Sequence, residues 1–280
     1  SRGLGDVYKR QLLVCAGDGR PVAWTTDADA RLVTVLGDGS IGRAVRVLEE
    51  FTVSECTLGV SELSRRTGIS KSSVYRITGD LEQSGLLERQ GTGYRLGLRL
   101  FELGQRVPRQ RDLHDAALPF MNDLREATGH TVHLAVLDGT EVVYLEVLQS
   151  PTAPPLPTRA GVRWPAHGTG IGKAILAFSP RAVTDRILAT GLPRLSERTI
   201  TTPGMFTAEL GRIRERGIAY DLEESRPGVA CVASAVLDAT GAPMAGISVS
   251  GWHNRINLDH SAAAVRTAAL GLSRQLRGDH

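Results

Sequence analysis

The chain of 280 residues carries 33 Lys+Arg against 30 Asp+Glu, 41% hydrophobic side chains and only 3 Cys. That length suits about two domains, and the apolar share excludes a wholly disordered chain. No apolar run reaches the ~18 residues of a membrane-spanning helix. Cys15, Cys56 and Cys231 are scattered and lack a CxxC, which argues against a disulfide framework or a cysteine-rich zinc site and suits a reducing cytoplasm.

Residues 1–39 show no sustained period. Ser1 to Gln11 reads as adapter sequence rather than fold, and no apolar core follows its basic start, so it is not a signal peptide. Residues 1–39 are therefore expected to be a disordered or non-native tail. From residue 40 to 111 the chain holds 12 basic and 8 acidic residues, whereas 112–280 holds 16 and 17. The positive excess is thus confined to one short segment, as expected where a polyanion is met.

Ile41, Ala44, Val45, Leu48 and Phe51 fall on one face of a predicted helix with Ser40 as its N-cap. A second short helix is predicted from a Ser61 cap through Leu63 to Gly68. A third begins after Ser70, turns Val74, Ile77 and Leu81 inward, and ends at Gly85; Thr78 and Gly79 weaken its helical propensity. Leu86–Arg89 and Tyr94–Leu96 then read as strands around the turn Gln90-Gly91-Thr92-Gly93. Three short helices and a hairpin over 40–97 make a winged helix-turn-helix. The Gly68-Ile69-Ser70 link fixes the angle at which the third helix enters a major groove. Lys71, Ser72, Ser73, Tyr75 and Arg76 face outward from that helix, a set suited to base edges and phosphates, and Arg89 and Arg95 flank the hairpin. The pattern alone also suits a module that binds only protein.

A linker helix is expected over 98–112, with Pro108 and the charged stretch 109–112 interrupting the pattern, before a second domain over 113–280. Thr131–Leu137 and Glu141–Leu148 form a predicted hairpin about Asp138-Gly139. A loop rich in Pro151, Pro154, Pro155 and Pro157 follows. Helices are expected at 171–178, 180–190 and 206–216, strands at 229–237 and 243–250, and a last helix from Leu258 through Leu276. Hairpins flanked by helices argue an α+β domain with an antiparallel sheet.

The stretch from His167 to Ala174 is rich in glycine but is not a phosphate-binding loop: His167 replaces the first Gly and Ala174 the final Ser/Thr. It remains a helix start near Ile171, whose unpaired amides suit a small carboxylate, or a tight loop that needs glycine for backbone reasons alone. Asp221, Glu223 and Glu224 form an acidic run, the usual mark of a solvated turn. His133 on its strand reads as a satisfied core residue. Val229, Cys231 and Ala233 share one strand face by period two, as do Gly246, Ser248 and Ser250 on the next strand. Should the faces coincide, a thiol and two hydroxyls line one wall, which suits a polar ligand. No GxSxG, HExxH or Cys/His pair supports catalysis.

The stretches RAVRVLEEF (43–51), ELSRRTGISKSSVYRI (62–77), GLLER (85–89), GYRLG (93–97), HGTGIGKAILA (167–177), RGIAYDLEE (216–224) and GVACVASAVLDATGAPMAGISVSG (228–251) together resemble the IclR-type transcription factors, in order and in spacing. The resemblance implies a winged helix-turn-helix reader and a C-terminal GAF-like effector-binding domain. It implies a regulator, in the repressor sense, working as a homodimer or homotetramer on a palindromic operator of double-stranded DNA. Its effector would be a small organic or aromatic acid, and it would have no cofactor, metal or membrane partner. Carried over by position, the reading helix presents Ser70, Lys71, Ser72, Ser73, Tyr75 and Arg76. The effector site takes Gly170, Ile171, Asp221, Val229, Cys231, Ser248 and Ser250, with Leu156 over the apolar part. Two departures stand out: Thr78 replaces an apolar residue of the third helix, and Ile171 is bulkier than the small residue of some relatives. The competing reading is an enzyme acting on a small acid, with Asp221 and His167 as its acid/base pair.

Overall fold

The computed structural model describes residues 12–15, 21–24, 39–52, 55–154 and 156–278. Within the expected tail, strand β1 (Leu12–Cys15) pairs antiparallel with β2 (Pro21–Trp24); the rest of 1–38 lies outside the described residues. Two compact units divide at Arg111/Asp112.

The first unit is built on α1 (Ser40–Glu49), α2 (Val60–Thr67), α3 (Lys71–Gln83) and a hairpin of β3 (Leu87–Gln90) and β4 (Gly93–Leu96). Its core collects Val47, Phe51, Leu58, Leu63, Ile69, Val74, Ile77, Leu81, Leu87 and Tyr94. Ile41 is not part of it. It is 80% exposed, because the first turn of α1 overhangs the core that begins at Ala44 and Val47. The caps of α1 and α2 also differ from expectation: Gly39 and Gly59 occupy them, so Ser40 lies inside α1 and Ser61 inside α2. Gly68 stops α2 at φ +70°, a left-handed conformation that glycine adopts without a Cβ penalty. Ser70 does cap α3, its hydroxyl accepting from Ser73 N at 3.4 Å. Thr78 is fully buried, and its Oγ1 donates to the Tyr75 carbonyl at 3.0 Å, which satisfies the hydroxyl at an otherwise apolar position.

The helical stretch expected over 98–112 is divided into α4 (Leu98–Gly104) and α5 (Pro108–Thr128). Pro108 opens the second helix instead of merely breaking the first: a proline lacks the amide that the first helical turn leaves unused.

The second unit is an antiparallel sheet in the order β7 (Arg163–Pro165), β6 (Glu141–Leu148), β5 (Thr131–Asp138), β10 (Pro243–Trp252), β9 (Val229–Leu237), β8 (Ala219–Leu222). β7 and β8 carry only three and four residues, too few for a period-two signal, and were not expected from sequence. One face packs α5 and α9 (Leu258–Gly278) through Met121, Leu124, Val232, Ile247, Val249, Val265 and Leu272. The other face meets α6 (Gly170–Phe178), and α7 (Arg181–Thr190) and α8 (Pro203–Arg216) join the same apolar cluster, α8 against α6. The strand residues on this second face are small. Ser248 pairs with Ala233, Ser250 with Cys231 and Gly246 with Ala235. Gly246 is required there by close approach: a Cβ would lie 2.7 Å from Ile171 Cγ1 and 3.1 Å from Ile175 Cγ1. α6 therefore seats against one end of this face, and the small side chains beyond it leave a hollow.

Candidate nucleic-acid interface and ligand cavity

The outward face of α3 holds Lys71, Ser72, Tyr75 and Arg76, all exposed, with Ser73 half-buried and bonded through its hydroxyl to Ser70 at 2.9 Å. Tyr75 is 66% exposed, unusual for an aromatic ring with no partner in its own domain. Charge pairing separates this helix from α2. On α2, Arg65 pairs with Glu62, and Arg66 with Glu62 and Glu55. Lys71 and Arg76 have no ion pair among the described residues. Two uncompensated cations at the start and middle of a projecting helix are placed to meet phosphates or base edges. Arg89 and Arg95, by contrast, are engaged. Arg89 donates to Tyr94 Oη at 2.7 Å, lies over that ring, and faces Glu82 at 3.4 Å; Arg95 grips Glu88 at 2.8 and 3.0 Å. Such exposed pairs contribute little and exchange readily for a phosphate.

In the second unit one hollow gathers every sequence-derived effector residue. It holds about 450 Å³ of unfilled space, its open mouth included. Gly170 and Ile171 come from the start of α6, where Thr169 spends its side chain on Gly172 N at 3.0 Å. Asp221 comes from β8, Val229 and Cys231 from β9, Ser248 and Ser250 from β10, and Leu156 from the proline-rich loop. Burial and the Asp221 charge push the Cys231 thiol up to about 12, against the lowering effect of the Ser250 and Ser248 hydroxyls, so it is a neutral contact and not a nucleophile. Burial also raises the Asp221 carboxyl, although its Oδ1 accepts from Glu224 N at 2.7 Å and Ser225 N at 3.2 Å.

The acidic run is not a solvated turn. Asp221 and Glu224 are buried, and Glu224 Oε1 receives the ammonium of Lys173, itself 1% exposed on α6. Nor is His133 a satisfied core residue. It lines the hollow, its Nε2 meets Thr158 Oγ1 at 2.9 Å, and its Nδ1 has no partner. Burial pushes this imidazole down to about 4, so it is neutral at physiological pH. Tyr144, Thr158, Trp164, Ser225 and Arg226 line the same space and are not among the residues assigned to it by sequence. The signal for His133 was present: it stands opposite Ser248 in the β5–β10 register, so the two share a face.

His167 takes no part. Its Nε2 bonds the Pro193 carbonyl at 2.9 Å and it is absent from the hollow, which leaves the Asp221/His167 acid/base pair without geometry. Among the described residues no cluster of His, Cys, Asp or Glu is placed to hold a metal ion, and no helix is long and apolar enough to cross a membrane.

A helix-turn-helix with a free cationic face, joined to a sheet domain that encloses a polar hollow, defines a ligand-responsive DNA-binding regulator. The comparisons agree. Residues 40–91 match the IclR helix-turn-helix domain, and residues 105–274 match the C-terminal domain of the bacterial transcriptional regulator IclR. The chain belongs to the IclR family of transcriptional regulators. It is 36% identical to the HTH-type transcriptional regulator KdgR of Escherichia coli (strain K12), over 79% of this chain and 87% of that protein. It is 29% identical to the transcriptional repressor IclR of the same organism, over 79% and 82%. A solved IclR homologue of Microbacterium hydrocarbonoxydans, complexed with 4-hydroxybenzoate, shares its fold at a TM-score of 0.80 and 28% identity, covering 86% of this chain and all of that one. These relatives are regulators and not enzymes, which sets aside the acid-metabolising alternative.

Proposed function

We propose that this chain is a repressor that reads a palindromic operator through α3 and changes its grip when a small organic or aromatic acid fills the hollow. The observation that carries the reading is the exposed face of α3: Arg65, Arg66, Arg89 and Arg95 have carboxylate partners, whereas among the described residues Lys71 and Arg76 on that face have none. The DNA contacts are assigned to Ser70, Lys71, Ser72, Ser73, Tyr75 and Arg76, with Arg89 and Arg95 of the hairpin reaching the flanking backbone. The effector contacts are assigned to Leu156, Gly170, Ile171, Asp221, Val229, Cys231, Ser248 and Ser250. The repressor sense and the acid class follow what the named relatives do and bind. The protein is assigned to the cytoplasm, where its operator is found.

A homodimer or homotetramer fits a palindrome by symmetry. It also accounts for the apolar side of α4, where Leu98 and Phe101 are 64% and 63% exposed; a second copy is the occupant that such a face suits. The test is an electrophoretic shift of the DNA upstream of its own gene, with and without added acids. A retarded band that a small acid weakens supports the reading. A protein that retards no DNA, in either condition, overturns it.

A further inference from the structure

We propose that Arg226 selects acids in this hollow, its guanidinium pairing with the ligand carboxylate while the indole N–H of Trp164 donates to an oxygen at the ligand's other end. The proposal deepens the effector reading above and rests on it.

Arg226 stands in the turn between β8 and β9 and lines the hollow. The carboxylates of that turn and of the end of β8 are already committed: Glu224 to Lys173, Glu223 to Arg198 at 3.2 Å, and Asp221 Oδ1 to two backbone amides. Among the described residues Arg226 has no ion pair and no side-chain hydrogen bond, although it follows an acidic run. A guanidinium left unpaired at the edge of a partly enclosed space is matched by a carboxylate, which it can grip through two parallel N–H donors.

Across the sheet stand buried polar groups without hydrogen-bond partners. Trp164 Nε1 is buried without a partner, and an indole nitrogen only donates. His133, 2% exposed, lines the same wall with its Nδ1 unpaired. A buried, unsatisfied polar group costs about 1–3 kcal/mol, and an acceptor supplied by a ligand removes that cost. Strand order places these groups apart. Trp164 lies on edge strand β7 and His133 on β5, while Arg226 follows β8 at the opposite edge. All three line the same hollow from different walls, so a ligand that meets them carries its polar groups at separate ends. The ligand is therefore elongated, with a carboxylate at one end, an oxygen acceptor at the other, and an apolar body against Leu156, Ile171 and Val229. Acids with a hydroxyl or oxo group distant from the carboxylate have that form; simple fatty acids do not.

The experiment uses the full chain as wild type, Arg226→Gln and Trp164→Phe, each first checked for an unchanged unliganded melting curve and operator binding. Binding is measured by calorimetry against two matched sets: 4-hydroxybenzoate, 4-hydroxybenzamide and benzoate; and 4-oxopentanoate, its amide and pentanoate. In at least one set the wild type is expected to prefer the acid over its amide by about 10-fold or more. Arg226→Gln is expected to lose that preference yet keep the preference for the distal oxygen. Trp164→Phe is expected to do the reverse. Full acid preference in Arg226→Gln, with acids still bound, overturns the role of Arg226 and leaves the effector hollow standing. An intact distal-oxygen preference in Trp164→Phe overturns the role of Trp164. A wild type that binds neither set, or prefers the amides, overturns the proposal, and operator release by some unrelated compound would then show that the effector reading itself survives.

Discussion

The ammonium of Lys173 on α6 and the carboxylate of Glu224 in the β8–β9 turn form a buried ion pair, with Lys173 1% exposed. The pair ties the helix whose first residues line the hollow to the turn that follows Asp221 and carries Arg226. Glu224 N also donates to Asp221 Oδ1, so one residue braces both. Removing one partner leaves the other charge buried and alone. Lys173→Met is expected to lower stability by about 3–5 kcal/mol, read by urea denaturation. The double replacement Lys173→Met with Glu224→Leu should recover a large part of that loss, because no charge is then stranded.

On α3, Lys71→Ala and Arg76→Ala are each expected to weaken operator binding and to reduce the slope of log affinity against log salt by about 1. Arg65→Ala on α2, whose cation is already neutralised by Glu62, should change that slope much less. Fluorescence anisotropy on labelled operator at several salt concentrations separates them.

Gly68 holds the α2–α3 turn at φ +70°. Gly68→Ala keeps the side chain small but places a Cβ in the left-handed region, at an expected cost of about 1 kcal/mol. Thermal unfolding checks it; an unchanged melting point would mean that the turn relaxes freely.

Buried His133 is held neutral, with its pKa pushed from 6.5 to about 4. The unfolded chain therefore binds a proton first as pH falls. Between pH 6.5 and about 4 the unfolded state holds more protons, and stability falls with falling pH by up to about 3 kcal/mol from this group. The raised carboxyls of Asp221 and Glu224 act in the opposite sense over that window, because there the folded state keeps their protons. The comparison is thus made between wild type and His133→Gln: the wild type should lose more stability from pH 7 to pH 4.5 than the variant. Equal losses would show that His133 is protonated without opposition.

The helix-turn-helix was largely legible because its signals are local. Ser70 caps, Val74, Ile77 and Leu81 repeat with the helical period, and Gly68 stops α2 within a few residues of sequence. The errors there are errors of edges: Ile41 fits the apolar stripe yet projects beyond the core, and Pro108 marks a start as readily as a stop. The hollow was legible only in part. Period two placed Cys231, Ser248 and Ser250 on facing positions, and the register confirms that they share a wall. The same rule says nothing about whether a wall faces packed side chains or open space, so His133 read as core. The acidic run read as solvated because its counterion, Lys173, is 51 residues away in sequence.

Occupancy of the hollow is expected to control the grip of α3 on DNA. That control is tested most directly by measuring operator affinity against rising concentrations of an acid such as 4-hydroxybenzoate or 4-oxopentanoate, for wild type and for Ser248→Leu. The leucine occupies the space beside Cys231 and Ser250 and leaves every residue of the helix-turn-helix unchanged. The expected result is an affinity that shifts by about 5-fold or more in wild type and stays flat in Ser248→Leu, with equal affinity before ligand is added. An identical response in both proteins would contradict the account.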